Sequence, residues 1–113
     1  MFERDDKIIV KEILDSFDKI SEITEHIDYS NFKNDSEKII SVLKEIDSIG
    51  KNCRAITGEF RLSNEEVNWN YIIRTRRRLS HSLLNAVNTD VIWTLVKKDY
   101  PLIRENICKL LNS

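Results

Sequence analysis

Four arginines and one histidine fall within a single eight-residue run: Arg74, Arg76, Arg77, Arg78 and His81. A guanidinium is a planar fork that matches two phosphate oxygens, and an imidazole titrates near neutrality. Together these groups can bind an RNA phosphodiester, accept the 2′-hydroxyl proton and stabilise the crowded phosphorane without a metal. No acid lies between Glu66 and Asp90, so nothing nearby in sequence compensates this positive field. On an ideal helix Arg74, Arg77, Arg78 and His81 share one face through spacings of three and four, while Arg76 falls about 140° from His81. The competing reading is a solvated arginine face with a structurally satisfied histidine, since clustering alone does not separate the two. The other histidine, His26, reads as a surface or helix-end residue.

A rigid element must hold such residues, and apolar spacing supplies it. A first helix is expected over Asp6–Ile27, with Val10, Ile13, Phe17, Ile20 and Ile27 on one stripe and Thr24 filling the missing turn. Asp28–Asn34 has loop chemistry. A second helix is expected over Asp35–Ile56, turning Ile39, Val42, Leu43, Ile46, Ile49 and Cys53 inward. Gly50 inside it costs about 1 kcal/mol against alanine and points to a close helix crossing. Gly58 is expected as a C-cap. Ser63-Asn64-Glu65-Glu66 spells a capping box and predicts the start of a third helix, the one carrying the Arg–His run, which fades near Asn85. Thr89-Asp90 should cap a short helix through Val96, and Pro101 fits the first turn of a last helix with Ile103, Ile107, Leu110 and Leu111 inward. Trp69 and Trp93 fall on these stripes and read as core or interface. The expected architecture is all-α, an up-and-down bundle of four to five helices.

The chain has 113 residues, so a single domain over 1–113 is expected, with a modest core that burial between subunits would extend. Two Gly and one Pro leave little punctuation for hairpins or a phosphate-cradling glycine loop. Hydrophobic residues at 41% and charged residues at 33% exclude disorder and a membrane span alike. The net charge of −1 hides a division: residues 1–50 hold thirteen acids against seven bases, and residues 51–113 hold six against eleven. Such a division suggests a local anionic partner. Cys53 and Cys108 lack CxxC spacing and, with no secretory signal at the start, read as reduced thiols of a cytosolic protein. No zinc, calcium or nucleophile-elbow motif occurs, so no metal or cofactor is expected.

The stretch Trp69-Asn-Tyr-Ile-Ile-Arg-Thr-Arg76-Arg77-Arg78-Leu79-Ser80-His81-Ser82-Leu83 resembles the signature segment of HepT-like ribonucleases of the HEPN superfamily. There a helix carries Arg, four intervening residues and His, with Trp seven positions before the Arg. Thr89–Ile103, with Trp93 and Pro101, looks like the family's tail, and the Asp-rich opening and Ile49-Gly50 fit as well. The resemblance implies a helical-bundle homodimer that cleaves RNA without metal in a cleft shared between subunits. It also implies the toxin of a toxin–antitoxin pair, whose antitoxin is an MNT-type nucleotidyltransferase that adenylylates a Tyr. By position Arg76 would hold phosphate and His81 transfer the proton, with Arg74, Arg77 and Arg78 on the RNA backbone.

Three positions depart from that pattern. Arg77 stands where the family usually has Asn, Leu83 where it has the acceptor Tyr, and Lys51 where it commonly has Glu. Tyr71 and Tyr100 do not replace the missing Tyr by position. The alternative to a nuclease is a non-catalytic helical dimer that binds a nucleotidyltransferase.

Overall fold

The computed structural model describes residues 5–82 and 88–111, and for 76–82 the helical backbone alone. Among the described residues seven α-helices run as α1 Asp6–Thr24, α2 Tyr29–Lys33, α3 Ser36–Ala55, α4 Gly58–Ser63, α5 Trp69–Ser82, α6 Thr89–Thr94 and α7 Tyr100–Leu111. A π-helical turn, Leu95–Asp99, joins α6 to α7. The long elements alternate in direction, so the expected all-α, up-and-down bundle is what forms.

Its seam is the pair α1 and α3. Ile9, Val10, Ile13, Phe17 and Ile20 of α1 meet Val42, Leu43, Ile46, Ile49 and Cys53 of α3, all buried. Thr24 fills the gap in the α1 stripe as expected: it is buried, and its hydroxyl donates to the Ile20 carbonyl at 2.9 Å. Gly50 is buried within α3. α5 packs on the α3 side of this seam and α7 on the α1 side. Phe17 meets the Tyr100 ring edge-on at 4.8 Å, and Arg104 pairs with Asp18 at 2.9 Å.

Several boundaries differ from the sequence expectations. α1 stops at Thr24 rather than Ile27, where Lys97 reaches across from the π turn to donate to the Thr24 carbonyl at 2.8 Å. That cation caps a helix whose own last turn carries none. The expected loop 28–34 contains α2, capped by Asp28, and it buries Phe32 completely. α3 keeps its expected span, with Asp35 as N-cap; the Lys38 amide that it accepts holds its carboxyl below the usual carboxylate value.

Gly58 does not cap α3 but begins α4, whose N-cap is Thr57. Thr57 also donates twice to Asp6, through its amide at 2.9 Å and its hydroxyl at 2.8 Å, tying the start of α1 to the end of α3. Ser63 therefore ends α4 instead of opening the third long helix, and Asn68 takes the capping role by accepting from the Tyr71 amide at 3.1 Å. The fading of that helix near Asn85 lies outside the described residues.

The last two helices run on as one rod through the π turn. Pro101 has no amide hydrogen, and its ring would crowd the carbonyl four residues earlier in an α-helix. The wider turn relieves that conflict, with the Tyr100 amide bonding to the Leu95 carbonyl five residues back.

Two buried groups carry measurable consequences. The Tyr100 hydroxyl is buried and has no hydrogen-bond partner among the described residues, so burial pushes the phenol up. An unpaired buried hydroxyl costs about 1 kcal/mol or more. Tyr100→Phe should therefore hold or raise stability in urea unfolding, and a loss above 1 kcal/mol would contradict the orphan assignment. Burial also pushes the Cys53 thiol up to about 12 from near 9, with Arg61 opposing. The unfolded chain then releases this proton first, so its stabilisation is complete below pH 9 and declines as pH rises toward 12. Between pH 8 and pH 10 the parent should lose about 1 kcal/mol more than Cys53→Ala, whatever the variant's lower baseline.

Candidate functional site

The Arg–His run lies on α5, and the start of that helix is fixed from three directions. Trp69 is 4% exposed, lies 6.5 Å from Phe60 of α4 between ring centroids, and donates its indole N–H to the Asn64 carbonyl at 3.1 Å. Ile72 is buried toward α3, and Val67 is buried just before the helix. Asn68 caps the first turn. Beyond it the Thr75 hydroxyl donates to the Tyr71 carbonyl at 2.8 Å.

From this anchor α5 continues unbroken through Ser82. Positions 76 and 81 are therefore on one rigid rod, about 7.5 Å apart along its axis. Arg74 is exposed. The side chains of Arg76, Arg77, Arg78 and His81 and all of Leu83 lie outside the described residues, so the bundle fixes the helix that presents them.

A second tie to α5 comes from the π turn. The Tyr71 hydroxyl donates to Asp99 Oδ2 at 2.6 Å, in a half-buried position. The spacing of 28 residues leaves no sequence signal for this contact. A little farther along, Asn106 of α7 donates to the Glu66 carbonyl at 3.4 Å, so α5 and α7 run antiparallel.

The remaining candidates take structural places. Trp93 lies 5.1 Å from Phe32 and 6.0 Å from Tyr29 between ring centroids, with the Lys97 ammonium 4.8 Å from its own ring centre. It joins α2 to α6 and is half-buried between them. Tyr29 adds a hydroxyl contact to Thr89 at 3.1 Å. His26 is on the surface as expected, its side chain 88% exposed beside Glu25. Lys51 pairs with Asp47 on the outside of α3 at 3.2 Å. Cys53 is buried, Cys108 half-buried, and both are free thiols. Among the described residues no group of three or more His, Cys, Asp or Glu is placed to hold a metal ion. Among those residues no helix is long and apolar enough to cross a membrane.

Comparison with known proteins identifies the family. The profile of the family described as "Ribonuclease HepT-like" matches residues 13–110. A protein of Methanocaldococcus jannaschii, provisionally named an RNase, is 30% identical over 95% of this chain and 97% of its own length. A protein of Thermococcus cleftensis, provisionally named ribonuclease HepT, is 27% identical over 95% of this chain and 96% of its own. No solved structure matches the chain significantly. The profile begins inside α1 and ends inside α7, so every element of the bundle falls within or across it, and the chain belongs to the HepT-like ribonuclease family.

Proposed function

We propose that this protein is a metal-independent endoribonuclease that acts as a homodimer, with a single helical domain in each subunit. The observation that carries the reading is the family match, which runs through the Arg76–His81 segment of an unbroken α5. Arg76 holds the non-bridging oxygens of the scissile phosphate and stabilises the charge that builds on the phosphorane. His81, as neutral imidazole, accepts the 2′-hydroxyl proton while that oxygen attacks phosphorus and the bond to the 5′-oxygen breaks. The 5′-oxygen leaves as a hydroxyl with a proton taken from water, His81 returns its own proton to solvent, and a 2′,3′-cyclic phosphate remains. Arg74, Arg77 and Arg78 hold the flanking phosphates. In a cleft composed at the dimer interface the two copies of α5 line one substrate path.

The biological role that fits is the toxin of a toxin–antitoxin pair, with an MNT-type nucleotidyltransferase as antitoxin. Position 83 is Leu, Tyr100 is buried, and the Tyr71 hydroxyl is bonded to Asp99. Neutralisation in this protein accordingly rests on covering the cleft rather than on adenylylating a tyrosine at the motif position.

Cleavage of total cellular RNA by the purified protein in excess EDTA tests the reading. The parent should cut, while Arg76→Ala and His81→Ala should each lose about 100-fold or more with unchanged melting temperature. A folded parent that cuts nothing would instead favour the non-catalytic dimer that only binds a nucleotidyltransferase. Binding to an uncleavable RNA should weaken steeply with salt, and Arg74→Ala should lower the salt slope by about 1. An unchanged slope would remove Arg74 from the backbone contacts.

A further inference from the structure

We infer that Asp99, acting through Tyr71, is a positioning residue that sets the roll of α5 and hence the placement of Arg76 and His81; the inference rests on the ribonuclease reading above. The observation is the 2.6 Å hydrogen bond from the Tyr71 hydroxyl to Asp99, which joins the catalytic helix to the π turn. Its length is that of a charge-assisted O–H···O⁻ bond, stronger than a neutral one. It is half-buried, so water competes less for either partner.

The other ties of α5 do different work. Trp69 and Ile72 bury apolar surface, an attraction that is large but non-directional, while the indole bond from Trp69 to the Asn64 carbonyl ties only the first residue of the helix to the end of α4. These contacts seat the root of the helix on α3 and α4 and leave its rotation against the π turn to a separate tie. A hydrogen bond to a fixed acceptor is directional and defines that rotation.

The acceptor is itself held firmly. Asp99 closes the π turn, and its neighbours Val96 and Tyr100 are buried in the core. The turn is wider than an α-helical one and so re-aims the residues that it carries. Pro101 explains why the chain needs relief at this place. The result is a carboxylate beside the first turn of α5.

Register carries the effect along the helix. Arg74, Arg78 and His81 follow Tyr71 at intervals of three, seven and ten residues, so these positions fall within one arc of the helix. A helix is stiff over that length, about 15 Å. A roll of about 15° displaces a group ~6 Å from the axis by about 1.5 Å. Misplacement of about 1 Å is enough to cost up to 100-fold in rate.

The test is a double-mutant cycle on RNA cleavage with Tyr71→Phe, Asp99→Ala and the double variant, with His81→Ala as the inactive control. Each single variant should lower kcat about tenfold with KM within twofold, and the double should lose no more than either single. Asp99→Asn, which keeps an acceptor oxygen, should recover part of the loss. Parental kcat in Tyr71→Phe, or losses that multiply in the double variant, would overturn the inference while the nuclease stands. Amide exchange along 69–82 gives a second readout that needs no activity, and it should quicken in Tyr71→Phe while α1 and α3 stay protected. If the parent cuts no RNA the ribonuclease reading falls, and exchange then decides the tie alone. Faster exchange upholds the fixing of α5 by this pair, and unchanged exchange overturns it.

Discussion

The antiparallel packing of α1 on α3 is the constraint on which the other elements depend. α1 presents Ile, Val and Phe side chains from Ile9 to Ile20, and α3 presents a mostly β-branched stripe from Val42 to Cys53. Branched side chains lose little rotamer freedom on burial, so a seam of this kind is well defined in register as well as strongly attractive. α5 then docks against α3, and α7 docks against α1. With the flanks of the seam occupied in that way, α5 and α7 are brought near each other, and the polar contacts from Tyr71 to Asp99 and from Asn106 to Glu66 close the circuit.

Charge follows the same division. The acids of the first half of the chain include Asp15, Asp18 and Glu22, all exposed on α1, and Glu25 just past its end. Four of the seven arginines of the second half, Arg74, Arg76, Arg77 and Arg78, belong to α5. α5 docks on α3 rather than on α1, and the ion pair that α1 makes with the second half, Asp18 with Arg104, goes to α7 instead.

What could be read from sequence was whatever rests on period and local capping. α1 and α3 showed their inward residues, and Asp35 its cap, because each depends on neighbours three or four positions away. The Arg–His helix was legible for the same reason. α2 was not, because Phe32 is one apolar residue in a polar stretch and a single anchor has no period. Ser63 misled because two local solutions compete there. Thr57 already caps α4 and Asn68 is free to cap α5, so the Ser-x-x-Glu spelling goes unused. The contacts from Tyr71 to Asp99, Lys97 to Thr24 and Asp6 to Thr57 join residues 28 to 73 positions apart. Only the packed bundle brings these together. The side chains of the Arg–His run stay an expectation from spacing and family.

The double use of Thr57 has a dynamic consequence. Its hydroxyl oxygen caps α4 by accepting from Phe60, while the same hydroxyl donates its hydrogen to Asp6. Fraying of the first turn of α1 thus loosens the cap of α4. The end of α4 in turn presents the Asn64 carbonyl that receives the Trp69 indole. Local opening at this edge is then one cooperative event rather than three independent ones, and the emission of Trp69 reports it from within the molecule, making the indole a built-in optical gauge of whether the root of α5 is seated.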